Sequence, residues 1–82
     1  MKPLNLFNKL KNQFENVIID EKKLKNKTIA NAFIINNQFQ IIKYKQGTNN
    51  GSFQLTKIND KNKNFYISND LSLIIKKVRL WK

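Results

Sequence analysis

The sequence contains five carboxylates, and their spacing decides whether the chain could carry acid-base chemistry. They are Glu15, Asp20, Glu21, Asp60 and Asp70, and only Asp20 and Glu21 are adjacent. Adjacent residues of a strand point to opposite faces, so this pair would not converge on one substrate. The chain has no Cys and no His, which excludes disulfides, thiolate nucleophiles, imidazole catalysis and the common zinc sites. We therefore predict a protein that is not an enzyme, and we expect no metal or cofactor.

Positive charge is the second chemical feature of the sequence. The chain has 16 Lys and Arg against 5 Asp and Glu, a formal net charge of +11 and a pI near 10.2. Such a positive net charge favours binding to acidic partners, above all nucleic acid. Lys, Asn and Ile, whose codons are rich in A and T, supply almost half of the 82 residues, and Arg79 is the one arginine. Because the guanidinium fork is the usual reader of guanine edges, this composition favours nonspecific attraction over sequence reading.

The distribution of these cations predicts a non-enzymatic module that binds RNA or single-stranded DNA, such as a component of a ribonucleoprotein. Lysines on loops and strand ends would follow the phosphates, and outward tyrosines would stack on bases. The predicted nucleic-acid-binding residues are Lys22, Lys23, Lys25, Lys27, Lys43, Tyr44, Lys45, Lys57, Lys61, Lys63, Tyr66, Lys76, Lys77 and Arg79.

The alternative is a small protein-interaction module, such as a regulator or inhibitor from a mobile element or a subunit of a larger assembly. Such a module needs an exposed apolar patch. The candidates for that patch are Leu73, Leu80 and Trp81. Trp81 either closes the core or is held out for a partner.

These side chains need a scaffold, and the first element of that scaffold is a helix. Apolar residues recur with helical spacing on one arc, with asparagine, lysine and glutamate opposite them. The arc consists of Leu6, Phe7, Leu10, Phe14, Val17 and Ile18. The pattern predicts an amphipathic helix over residues 4–16 that covers one face of the remaining chain.

From Val17 onward the apolar period changes to two, which is typical of strands. Residues 17–19, 29–35, 39–46 and the stretches from Phe53 and Phe65 are predicted strands. Hairpin turns are expected at Asn36-Asn37, at 47–51 and at 59–64. The first is expected because asparagine tolerates the positive φ angles of a tight turn. On each of four strands, an aromatic residue and an aliphatic residue two positions later are expected to face the core. Tyr44 and Tyr66 are expected to face outward. These pairs are Phe33/Ile35, Phe39/Ile41, Phe53/Leu55 and Phe65/Ile67.

The stretch 71–80 fits two structures. A helix capped by Ser68, Asn69 or Asp70 would leave Leu73 and Leu80 outside its apolar face. That face would consist of Leu71, Ile74, Ile75, Val78 and Trp81. The β-branched residues favour a strand instead. We predict a strand here. The 82 residues are then one small α+β domain, mostly β, with an N-terminal helix and an antiparallel meander of about five strands.

Such a meander can curl into a small barrel of the SH3-like, Sm-like or OB type, which is an analogy of architecture. No stretch is long and apolar enough for a membrane span, and no secretion signal is recognisable. We expect an intracellular protein of the cytoplasm or of an organellar matrix.

Overall fold

The computed structural model describes residues 3–45, 51–61 and 64–81. The elements in chain order are α1 (Pro3–Gln13), β1 (Val17–Ile19), α2 (Glu21–Leu24), β2 (Ile29–Ile35), β3 (Phe39–Tyr44), β4 (Phe53–Lys57), β5 (Phe65–Ser68) and α3 (Leu71–Leu80). The five strands form one sheet in sequence order, and every neighbouring pair is antiparallel. The predicted α+β architecture, with a meander of five strands, is confirmed.

The proposed closure into a small barrel is not confirmed. Strands β1 and β5 lie at the two edges of the sheet, and the pairings of the described residues leave it open. Within the described ranges, no helix is long and apolar enough to cross a membrane.

The main core lies between the sheet and the two long helices. Leu6 and Leu10 of α1 and Ile74 and Val78 of α3 are spaced four residues apart, so each pair projects from one side of its helix. All four are buried against the same sheet face. The sheet supplies Val17, Phe33, Ile35, Phe39, Ile41, Phe53 and Leu55 to this cluster. Both helices therefore cover one face of the sheet, which we call the helix face.

The Asn36-Asn37 turn has the predicted geometry. Asn36 and Asn37 have φ angles of 51° and 58°, and the Gln38 N–H donates to the Ile35 carbonyl at 2.9 Å. Positive φ at both central residues is what a tight type I′ hairpin requires. The turn predicted at 47–51 falls, except for Gly51, outside the described residues.

Helix α1 ends at Gln13, three residues before the predicted boundary. Asn16 instead bonds to the β2–β3 turn: its carbonyl accepts from the Asn36 N–H at 2.7 Å, and its own N–H donates to Asn36 Oδ1 at 3.1 Å. The hairpin turn thus sets where the helix must stop.

The predicted orientation of β5 is wrong. Tyr66 pairs with Leu55 across the β4–β5 ladder, and directly paired residues share a face. Tyr66 therefore packs on the helix face, while Phe65 and Ile67 are 59% and 38% exposed on the other side. A slip of one residue inverts every side chain of a strand, so the error lies in the register between β4 and β5.

The strand predicted for 71–80 is also wrong, because the segment forms α3. Asp70 caps this helix, and its Oδ1 accepts from the Ser72 N–H at 2.9 Å and from the Ser72 hydroxyl at 2.6 Å. Leu73 and Leu80 are left 45% and 69% exposed, which is the arrangement that a helix implies. Burial of one apolar side against the sheet outweighs the strand preference of β-branched residues.

The cap of α3 should make stability depend on pH in the acidic range. The hydroxyl and N–H of Ser72 donate to the Asp70 carboxylate and hold its pKa below the usual 3.8. The charged form is therefore favoured by folding, and this stabilisation is present above the unfolded pKa and is lost as pH falls through the folded one. The variant Asp70→Asn keeps a cap oxygen but has no charge. We expect the native chain to have a higher thermal midpoint than this variant at pH 7, and we expect the difference to shrink as the pH is lowered to 2. Thermal unfolding followed by circular dichroism measures both midpoints. A difference in midpoint that does not change with pH would contradict this role of the carboxylate.

Candidate functional site

A groove of about 460 Å³ opens at one end of the molecule, where α1 and α3 both end. We call it the terminal groove. It lies beside the β2–β3 turn and the last residue of β4, and a groove of this volume is of the size that small ligands occupy. Its lining consists of Gln13, Phe14, Asn36, Gln38, Phe39, Lys57, Val78, Arg79 and Trp81.

Three aromatic rings form the apolar part of the terminal groove. Phe39 is buried, while Phe14 and Trp81 are half-buried. The Phe39 and Trp81 ring centroids are 6.2 Å apart, with their planes tilted by 49°. Such partly exposed rings can stack on a planar ligand. Trp81 also packs against the core, so it closes one end of the core and keeps an accessible side.

Two cations share the groove with these rings. The Nη2 group of Arg79 donates a hydrogen bond to Gln13 Oε1. The guanidinium carbon of Arg79 lies 6.0 Å from the Phe14 ring centroid. Lys57 lines the groove because it pairs with Phe39 in the β3–β4 ladder and therefore lies on the same face of the sheet. Cations over ring faces are attracted by the ring quadrupole, which holds Arg79 at the groove and leaves most of its N–H groups available.

Lys77 extends this positive edge along α3. Its Nζ lies 5.7 Å from the centroids of both Tyr66 and Trp81. The ammonium group is therefore held close to Trp81, one of the three rings of the groove.

Helix polarity opposes an anion at this end. The carbonyl ends of α1 and α3 carry partial negative charge, and both helices end at the groove. Lys57 and Arg79 must therefore supply the attraction for any anionic ligand.

A second group of predicted site residues lies at the opposite end of the sheet. Lys22 and Lys23 are on α2, and Lys25 and Lys27 follow it, all exposed. The exposed Lys45 joins them because its N–H donates to the Thr28 carbonyl at 2.9 Å.

The remaining predicted lysines lie on other parts of the described surface, except that Lys76 lines a smaller groove together with Gln13 and Arg79. Lys43 has its Nζ 5.3 Å from the Phe53 ring centroid, Lys61 is exposed after β4, and Lys76 is exposed on α3. Lys63 lies outside the described residues. Among the described residues, the predicted cations thus form two main groups, one at each end of the sheet.

The tyrosines are less available than predicted. Tyr44 does lie on the face opposite Phe39, but its hydroxyl donates to Gln54 Oε1 at 2.6 Å and its ring packs against Ile29, Ala32 and Ile42. Tyr66, predicted to face outward, is half-buried on the helix face. The structure places Trp81, Phe14 and Phe39 in the groove instead.

Three carboxylates stabilise local structure. Asp20 and Asp70 cap α2 and α3, and Asp60 Oδ2 accepts from the Asn64 N–H at 3.1 Å. Among the residues that the structure describes, no three acidic side chains come together as a metal site.

Sequence reasoning missed Gln13, Phe14, Asn36, Gln38 and Phe39 as site residues. Phe14 and Phe39 have the spacing of core residues, and the amides resemble the other polar positions of an asparagine-rich chain. They meet only because α1 ends beside the β2–β3 turn.

The arrangement is that of a two-layer α+β protein with a basic, aromatic groove at one end of its helix layer. Comparison of this chain with protein families, curated proteins and solved structures finds no match in any of the three.

Proposed function

We propose that this protein binds RNA or single-stranded DNA in the terminal groove, as a non-enzymatic component of a ribonucleoprotein. The observation that supports this function is the presence of Trp81, Lys57 and Arg79 in one groove. A nucleotide is both planar and anionic, so a ring with two cations beside it matches both parts of that ligand.

The size of the groove favours unpaired strands. A base can reach Trp81 only if it leaves the stack, which costs little in a single strand and several kcal/mol in a duplex. Arg79 and Lys57 would contact the flanking phosphates, and the lysines at the other end of the sheet would add longer-range attraction. The net charge of +11 supports rapid, salt-sensitive association.

The salt dependence of binding tests this function. A labelled single-stranded RNA of roughly 15 nucleotides should bind more weakly as salt rises, because each neutralised phosphate releases about 0.7 counterions. If about three phosphates are neutralised, the affinity should fall about 20-fold between roughly 50 and 200 mM KCl. Fluorescence anisotropy measures this fall, with a duplex of the same sequence as the control.

Two results would contradict the proposal. One is the absence of binding at the lower salt concentration. The other is duplex binding that is tighter than that of the single strand, since the groove accepts only an unstacked base.

A second candidate function is protein interaction through α3. Leu73 and Leu80 are seven residues apart, so they lie on one side of the helix, and both are exposed. Trp81 is close to this side but is half-buried. An apolar pair on an exposed helix side is suited to a partner groove.

Nuclease treatment of captured complexes separates the two candidates. Partners of a tagged chain that disappear with nuclease support the nucleic-acid function. A stoichiometric protein that survives the treatment would favour the interaction function.

A further inference from the structure

The amide side chains of the terminal groove are oriented by their protein partners. Gln13 Oε1 accepts from Arg79, and an arginine can only donate, so the Gln13 oxygen must point to it. Asn36 Oδ1 likewise accepts from the Asn16 N–H at 3.1 Å. Each amide oxygen therefore has one of its two lone pairs engaged, and the NH₂ group of each amide remains available to donate to a ligand.

The polar rim of the groove consequently presents mainly hydrogen-bond donors. Lys57 and Arg79 have no acceptor atoms, and the amide oxygens of Gln13 and Asn36 each already accept one hydrogen bond. Gln38 is the one polar side chain of the lining whose amide can turn either way. Four of these five side chains therefore favour a ligand edge made of acceptors.

Nucleobases differ in this respect. Cytosine carries an exocyclic amine, which donates, beside N3 and one carbonyl oxygen, which accept. Uracil and thymine have a carbonyl oxygen, which accepts, in place of that amine, and a second carbonyl oxygen beyond the N3–H donor. An amine placed against the Gln13 and Asn36 NH₂ groups would set donor against donor. We propose that the terminal groove prefers uracil or thymine over cytosine, an inference that rests on the proposed binding of single strands.

The test compares oligouridine with oligocytidine, each of about 15 nucleotides, at one salt concentration. Both are pyrimidine strands of equal charge, so the difference reports the base edge. We expect oligouridine to bind the native chain about fivefold more tightly, the lower end of what one base-edge contact contributes.

A matched pair of turn variants locates the preference. Asn36→Gly removes the amide at a positive φ that glycine adopts freely, and Asn37→Gly makes the same change at the neighbouring position, with φ 58°, outside the groove lining. Asn36→Gly should bring the two affinities within about twofold, and Asn37→Gly should keep the native ratio. If Asn36→Gly does not fold, Gln13→Ala on the exposed end of α1 tests the second amide.

The outcomes separate this inference from the proposed function. Equal binding of both strands to the native chain would overturn the base preference and leave single-strand binding intact, as would a preference that survives both Asn36→Gly and Gln13→Ala. Failure of both strands to bind would overturn the proposed function and the preference with it.

Discussion

Replacing Phe33 by alanine is expected to lower the thermal midpoint by at least about 12 °C. Phe33 is 2% exposed, and its ring stacks on Phe7 of α1 with centroids 6.2 Å apart. Truncation of a buried phenylalanine typically costs about 3–5 kcal/mol, and each kcal/mol moves the midpoint of a domain of this size by about 4–8 °C. Since the free energy of unfolding of a small protein is only about 5–15 kcal/mol, much of it would be lost.

Phe65→Ala is the matched control for this prediction. It makes the same change on the same sheet, at a side chain that is 59% exposed on the opposite face. Exposed positions usually change stability by no more than about 0.5 kcal/mol, so the midpoint should move by less than about 4 °C. Thermal unfolding followed by circular dichroism measures both variants, and a reversed order would mean that the faces of the sheet are assigned incorrectly.

The double variant Lys57→Ala with Arg79→Ala is expected to weaken RNA binding by at least about 100-fold. Hydrogen bonds to charged groups contribute about 1.5–3 kcal/mol each, and every 1.4 kcal/mol is about tenfold in affinity. Loss of two phosphate contacts should also reduce the slope of log affinity against log salt by about 1.4. Anisotropy titrations at several salt concentrations measure both quantities.

Lys22→Ala with Lys23→Ala is the control for that variant. It removes two positive charges from the exposed surface of α2, at the other end of the sheet. Because it changes only the general attraction, we expect a loss of less than about threefold. Equal losses for the two double variants would mean that total charge, and not the terminal groove, determines binding.

Local patterns predicted much of the scaffold. The helical spacing of Leu6 and Leu10 and the strand alternation of Phe39/Ile41 and Phe53/Leu55 depend on neighbours along the chain, and all six side chains are buried together. The Asn36-Asn37 turn was predictable because few other residues accept positive φ.

The errors have a common cause. The orientation of Tyr66 depends on the register between β4 and β5, and the choice between helix and strand for 71–80 depends on what the segment packs against. In both places the local pattern is compatible with two structures whose energies differ mainly through long-range contacts.

The sequence by itself determined the absence of cysteine and histidine chemistry, the strong positive charge and the order of α1 and the five strands, because these depend on residue type and on near neighbours. Only the tertiary structure decided that α3 is a helix and that Lys57, Arg79 and Trp81 line one groove while Lys22 to Lys27 lie at the other end of the sheet. The groove residues are far apart in sequence, and hydrophobic burial of α1 and α3 on one sheet face brings them together. No spacing rule along the chain contains that information.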